Sequence, residues 1–281
     1  MKENRLVRTF SSLKEKGMKA FVPFTLLGYP DRKLCLESID ALIEGGASAL
    51  ELGIAFSDPL ADGPVIQAAS HQVLSRGFSV EDSFSLIREI RSCHKDIPIN
   101  ILTYFNLALA RGTDVFFKQL KEAGADGITF VDLPIEEIDE IYSQLKTAQL
   151  IPVMLISPLT PEERTRIILQ YAEGFIYMVS RAGITGMHES FEANLKESIK
   201  TLQKLSSLPV LTGFGISTRE NAGKIIDLGA DGVIVGSKII DLITRSSPSE
   251  LRKVLIEYEQ EIQEAINSRK EVKQKSIAVL R

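Results

Sequence analysis

Short apolar runs alternate with stretches of helical periodicity along almost the whole chain. The runs are Ala20 to Thr25, Ser48 to Leu52, Ile99 to Tyr104, Gly127 to Val131, Ile151 to Ile156, Gly174 to Val179, Val210 to Thr212 and Gly232 to Val235. Between them, helical spacing marks stretches such as Lys33 to Ile43, Val80 to Ser92, Thr113 to Ala123, Glu136 to Ala148, Pro161 to Tyr171, Glu192 to Leu205 and Thr218 to Leu228. Strands alternating with helices predict parallel βαβ units, and eight repeats predict an α/β fold of one closed (β/α)8 TIM barrel. No linker interrupts the series, so residues 1–281 read as a single domain. Leu6, Phe10 and Leu13 give residues 1–18 the spacing of an extra helix that caps the barrel bottom. Residues 257–281 read as a charged, extended continuation of the last helix.

Three turns share a pattern that ends a helix and opens a strand: Gly45-Gly-Ala-Ser-Ala-Leu, Gly124-Ala-Asp-Gly-Ile and Gly229-Ala-Asp-Gly-Val. They belong to the stabilising face of a barrel, whereas the loops after the strands carry chemistry. The polar signals fall on that second face. Glu51, Asp58 and Asp62 follow strand two, Tyr104 and Asn106 close strand three, Asp132 follows strand four, and Tyr177 lies in strand six. Glycine turns follow strands seven (Gly213-Phe-Gly-Ile-Ser217) and eight (Gly236-Ser-Lys238).

A carboxylate at the end of an apolar strand either pairs with an arginine across the barrel or serves as an acid/base group, because burying it unpaired is costly. Glu51, with Asp62 in the adjoining loop, suits the second role. Asp58 before Pro59 reads as a turn former, and Asn106 and Asp132 as loop hydrogen-bonding groups at a partner surface. Glycines after the last two strands let backbone N–H groups approach an anion, so the two turns together point to a substrate phosphate. Ser180 to Phe191 is long for such a loop and carries Gly183 and Gly186, as a lid would.

Composition narrows the function further. A net charge of −4 with interspersed signs gives no basic footprint, so nucleic acid is not an expected partner. No run approaches the length of a membrane span, and the N-terminus carries mixed charges, so the expectation is a cytoplasmic protein. Cys35 and Cys93 lie in helical segments and read as two half-buried thiols without a disulfide. His71, His94 and His188 lack ligand spacing, so no metal and no cofactor are expected.

Several motifs, in order, resemble the tryptophan synthase alpha subunit family over nearly the whole chain. They are Phe21-Val-Pro-Phe24 with Gly28-Tyr-Pro30, Glu51-Leu-Gly through Phe56-Ser-Asp-Pro-Leu-Ala-Asp-Gly-Pro64, Tyr104-Phe-Asn106, Asp132-Leu-Pro134, Tyr177 with Ser180-Arg-Ala-Gly-Ile-Thr-Gly186, and Gly213-Phe-Gly-Ile-Ser217. The resemblance implies retro-aldol cleavage of indole-3-glycerol phosphate to indole and glyceraldehyde 3-phosphate. Indole would pass to a beta subunit in an alpha-beta-beta-alpha tetramer. It implies Glu51 as general acid/base, Asp62 as acceptor of the indole N–H and Tyr177 beside the reacting centre. Gly186, Gly215, Gly236 and Ser237 would hold the phosphate, and Phe24, Leu102, Tyr104 and Phe214 would form the indole pocket. Arg181, Gly183 and Thr185 would belong to the lid, with Thr185 engaging Asp62. Ala55 departs from the family's usual proline, and Thr25-Leu-Leu and Met187-His188 also differ. A different sugar-phosphate barrel enzyme, or a catalytically weak activator of the beta subunit, are the competing readings.

Overall fold

The structure, a computed structural model, describes residues 3–179, 189–213 and 215–268. Its strands are β1 (Ala20–Leu26), β2 (Leu50–Gly53), β3 (Ile99–Thr103), β4 (Gly127–Phe130), β5 (Ile151–Pro152), β6 (Met154–Ile156), β7 (Ile176–Val179), β8 (Val210–Gly213) and β9 (Gly232–Val235). The first helices are α1 (Arg5–Glu15), α2 (Arg32–Glu44), α3 (Pro64–Ser75), α4 (Val80–Cys93), α5 (Phe105–Arg111) and α6 (Thr113–Ala123). After them come α7 (Asp139–Ala148), α8 (Glu162–Tyr171), α9 (Glu189–Leu205), α10 (Arg219–Asp227), α11 (Ser237–Arg245) and α12 (Leu251–Asn267).

The strands follow the order β5-β4-β3-β2-β1-β9-β8-β7-β6, and every ladder between them is parallel. The two ends of that order, β5 and β6, are separated in the chain by Val153 alone. Val153 N–H donates to the Ile128 carbonyl at 2.9 Å, so β5 and β6 are halves of one strand. Its first half pairs with β4 and its second with β7. This closes the predicted eightfold TIM barrel. Register places Phe24, Glu51, Asn100, Gly127 and Ile151 in one lateral row across β1 to β5. Partners in parallel register point to the same face, so this row runs through the barrel interior.

The helix that the N-terminal periodicity predicts is α1. Leu6 and Phe10 of α1 are buried, and Phe10 packs its ring 5.0 Å from that of Phe175. Asn4 caps the helix by accepting from Leu6 N–H, and its Nδ2 reaches the Asp126 carbonyl at 2.9 Å. Asp126 is itself buried between Arg5 and Arg91, each at 2.8 Å, and accepts from Ile99 N–H at 3.0 Å. Paired and fully hydrogen-bonded, such a charge is tolerated in a core.

The turns at this face differ in detail from one another. Gly124 and Gly229 take the left-handed conformation expected of a helix C-terminus, but in the first turn Gly46 does so. Gly45 has ordinary φ and is needed for space, since a Cβ there would lie 2.3 Å from a carboxylate oxygen of Glu259 on α12.

Four helices go beyond the periodic stretches above. Pro64 begins α3 at its N1 position, where its missing N–H costs nothing. α5 follows Tyr104, which is the helix N-cap and not the last strand residue. α11 and α12 complete the final βα unit, so the charged tail continues an amphipathic helix whose Leu255, Tyr258 and Ile262 are buried. Residues 269–281 lie outside the described residues. The cysteines also differ from expectation. Cys35 is fully buried with Sγ accepting from Gly28 N–H at 3.3 Å, whereas Cys93, at the end of α4, is exposed; neither is half-buried. No helix among the described residues is long and apolar enough to cross a membrane.

Candidate active site

Glu51 occupies the middle of β2, and the inward register of that strand buries its side chain in the barrel. One carboxylate oxygen accepts from Asn100 Nδ2 at 3.2 Å, and the other from the Tyr177 hydroxyl at 3.4 Å. No arginine or lysine pairs with it among the described residues. Burial therefore dominates, and it pushes the Glu51 carboxyl up to about 8, against the lowering effect of the Asn100 and Tyr177 hydrogen bonds. The negative charge of Asp62 adds to the rise. Burial, reinforced by the Glu51 carboxyl, likewise raises Tyr177 well above the usual phenol range, so its O–H stays a donor.

Asp62 is carried by the loop between β2 and α3. Asp58 makes the turn the sequence suggests, with Ser57 Oγ donating to its carboxylate at 2.5 Å and its carbonyl accepting from Leu60 N–H at 2.9 Å. Gln67, in the first turns of α3, donates to the Asp62 carbonyl at 2.9 Å. The Tyr104 hydroxyl then fixes the loop twice, accepting from Ala61 N–H at 3.1 Å and donating to Asp62 Oδ2 at 3.1 Å. Partial burial raises the Asp62 carboxyl, and the Tyr104 hydrogen bond lowers it.

Glu51, Asp62 and Tyr177 share the wall of one cavity of about 160 Å³ at the strand C-termini. Phe24 and Leu102 form apolar wall, joined by Ile66, Val131 and Ile234. The rim after β8 and β9 is built by Gly215, Gly236 and Ser237, with Ile216, Ser217 and Lys238 beside them. The segment from Gly236 opens α11, whose first N–H groups lack helical acceptors and favour an anion. Lys238, named above only as part of a turn, also lines the cavity and lies 3.4 Å from Asp241.

Gly213 at the end of β8 leaves the space that the Tyr177 ring takes, since a Cβ there would lie 2.4 Å from the ring. Gly53 does the same for Phe24, at 2.8 Å.

Tyr104 is not in the wall of this cavity. It stands behind Asp62, stacked on Phe56 at 4.9 Å, in a neighbouring cleft with Asn106 and Asp132. Asp132 accepts from Phe105 N–H at 2.8 Å and so stabilises the start of α5. Arg181, Gly183, Thr185, Gly186 and Phe214 lie outside the described residues. A larger cavity of about 280 Å³ lies in the barrel wall between β4 to β6 and the helices α7 and α8. Among the described residues its lining is mainly apolar and contains no carboxylate, the group needed for the acid/base work.

Two residues near Glu51 escaped the sequence reading. Asn100 and Thr129 are fully buried behind it, with Asn100 Nδ2 donating to Thr129 Oγ1 at 2.9 Å. A polar residue inside the apolar run Ile99-Asn-Ile-Leu102 was the signal that could have revealed the first. The arrangement as a whole offers one buried carboxyl able to hold a proton near neutrality, a second, more exposed carboxylate, and a rim of N–H groups for an anion.

Comparison with known proteins is consistent along the chain. A profile of the family described as "Tryptophan synthase alpha chain" matches residues 10–273. The tryptophan synthase alpha chain of Gloeobacter violaceus is 38% identical over 261 residues, covering 93% of this chain and 94% of that protein. That of a Thermoanaerobacter species is 38% identical over 270 residues, covering 96% and 99%. The crystal structure of tryptophan synthase subunit alpha from Legionella pneumophila superposes with a TM-score of 0.86 at 34% identity, over 94% of this chain and 99% of that one.

Proposed function

The chain belongs to the tryptophan synthase alpha chain family, and on that premise we propose that Glu51 and Asp62 carry out the family's lyase reaction in the cavity they share. That reaction is the retro-aldol cleavage of indole-3-glycerol phosphate to indole and glyceraldehyde 3-phosphate. The observation that carries the assignment is the pairing of a fully buried, arginine-free Glu51 with Asp62 opposite the glycine turns of β8 and β9.

Cleavage needs a proton on indole C3, removal of a hydroxyl proton from the glycerol chain, and support for positive charge on the indole nitrogen. Glu51 enters protonated, as its raised carboxyl allows, and gives that proton to C3. The ring nitrogen becomes cationic, and its N–H donates to the Asp62 carboxylate, which the Tyr104 hydroxyl holds in place. Glu51, now a carboxylate, takes the proton of the hydroxyl on the carbon bonded to C3. The oxygen lone pair forms the aldehyde, the carbon–carbon bond breaks, and its electrons restore the neutral indole. Glu51 ends protonated, ready for the next turnover. Tyr177 orients the Glu51 carboxyl from β7.

Phe24 and Leu102 flank the indole ring, and Gly215, Gly236 and Ser237 hold the phosphate. The lid residues Arg181, Gly183, Thr185 and Gly186 are assigned to closure and phosphate contact on the motif alone. The partner is the tryptophan synthase beta subunit, which receives the indole, in the expected alpha-beta-beta-alpha assembly. We assign a cytoplasmic location, in keeping with two free cysteines.

The test is indole release from indole-3-glycerol phosphate, with and without the beta subunit. Glu51→Gln and Asp62→Asn should each lower turnover by about a hundredfold or more while binding of glyceraldehyde 3-phosphate changes little. Turnover near the parent value in either variant refutes the assignment. No release by the parent chain in either condition would make it an activator only.

A further inference from the structure

Asn100 is an expensive residue to place where it is. It lies in β3 between Ile99 and Ile101, is completely buried, and its side chain points into the barrel in register with Glu51. A buried amide is tolerated when all its polar atoms are satisfied, as structural asparagines usually are. Here the satisfaction is lopsided. Nδ2 donates to Glu51 at 3.2 Å and to Thr129 Oγ1 at 2.9 Å, whereas Oδ1 has no hydrogen-bond partner among the described residues. Gly127 on β4 leaves the space beside Oδ1, since a Cβ there would lie 2.9 Å from it. An apolar residue would fill this position at less cost, so the amide is accounted for by what it does to Glu51.

Neither Asn100 nor Thr129 lines the cavity, whereas Glu51 and Tyr177 do. Asn100 therefore reaches one carboxyl oxygen from behind, leaving the other, beside Tyr177, toward the substrate. We propose that Asn100, anchored by Thr129, is a positioning residue that holds Glu51 through both protonation states of its cycle.

The chemistry of the amide suits that task. While Glu51 is a carboxylate, Nδ2 donates to it. When Glu51 carries its proton, the same amide turned over presents Oδ1 as an acceptor. The Thr129 hydroxyl serves in both arrangements, because it can accept from Nδ2 or donate to Oδ1. The other titratable or charged groups facing Glu51 are Tyr177 and Asp62, with Lys238 in the same cavity and Tyr104 behind Asp62. None of these supplies a second donor from the side that Asn100 occupies.

This inference rests on the reading of Glu51 as the proton carrier, and the experiment separates the two. Full-length Asn100→Leu, Thr129→Val and Glu51→Gln chains are assayed with the beta subunit across pH for kcat and KM. Glu51 must enter protonated, so activity falls as pH rises through its titration. The Asn100 amide lowers the Glu51 carboxyl on balance, its bond to the carboxylate outweighing that to the protonated form, so its loss moves that alkaline limb upward. Asn100→Leu should lower kcat by about tenfold to a hundredfold, leave KM within about twofold, and raise the alkaline midpoint by about one pH unit. Thr129→Val should shift both kcat and the midpoint in the same direction by less, and it decides the matter if Asn100→Leu does not fold.

Parent values of kcat and of the alkaline limb in these variants, with Glu51→Gln inactive, would overturn the role of Asn100 and leave that of Glu51 standing. Lost stability or raised KM without movement of the limb would mark Asn100 as structural and overturn it equally. Turnover near the parent value by Glu51→Gln would instead remove the reading on which the inference rests.

Discussion

Glu259→Gln should make the stability of this protein markedly less sensitive to pH. Glu259 lies in α12 where that helix crosses the end of α2, and it is completely buried. Among the described residues neither carboxylate oxygen completes a hydrogen bond, and the nearby Ala47 N–H donates to the Leu42 carbonyl at 3.2 Å. Burial pushes the carboxyl from 4.5 up to about 9, and the Ala47 N–H offsets only part of the rise.

Between those two values the folded chain holds a proton that the unfolded chain has released. Stability therefore falls as pH rises, by about 1.4 kcal/mol per pH unit. From about pH 5.5 to about pH 8.5 that amounts to roughly 4 kcal/mol. Glutamine does not titrate, so the variant loses this slope whatever constant offset its amide introduces. Glu51 imposes a similar slope up to its own titration, but it is present in both proteins and cancels.

For a chain of 281 residues, with an unfolding entropy of about 2 cal/mol/K per residue, roughly 4 kcal/mol corresponds to about 7 °C in Tm. The chain has no tryptophan, so far-ultraviolet circular dichroism is the suitable probe. The Tm of the variant relative to the parent should rise by about that amount across the pH interval. A difference that stays constant across the interval would show that Glu259 ionises as if exposed, and would refute the reasoning.

Two further outcomes follow from the site. Gly213→Ala places a Cβ 2.4 Å from the Tyr177 ring and 2.6 Å from its hydroxyl, so the ring must move away from Glu51. Indole release should drop by about tenfold with the helical content unchanged, and parent-like turnover would show that the Tyr177 position is immaterial. Tyr104→Phe removes the hydroxyl that holds Ala61 and Asp62, so kcat/KM should fall by about fivefold to tenfold. Because that hydrogen bond lowers the Asp62 carboxyl, its loss should move the acid limb of the pH profile to higher pH; an unmoved limb would argue against an ionised Asp62 in the reaction.

Legibility in the sequence followed the range of the forces involved. The eight strand runs are legible because strands buried under helices must be apolar along their whole length. Glu51 stood out for the same reason, as a charge in such a run. α3, α5 and α11 went unread because each begins directly in a loop after a strand, where proline, glycine and polar residues read as turns. Tyr104 continues the apolar pattern of Ile99 to Thr103, yet it caps α5, because Asp132 from another loop accepts from Phe105 N–H. Local pattern could not anticipate that partner.

Alternation and turn chemistry, set by neighbours a few residues away, were enough to specify an α/β barrel, its order of units and a carboxylate at the mouth. Only the closed tertiary structure brought Tyr177 to Glu51 across 126 positions and seated Asn100 behind it across 49. Barrel register decides which side chains share an interior row, and it depends on pairings around the whole ring. Burial completed there excludes water from Glu51, and that desolvation, which no stretch of sequence possesses alone, makes an ordinary carboxyl able to carry a proton near neutrality.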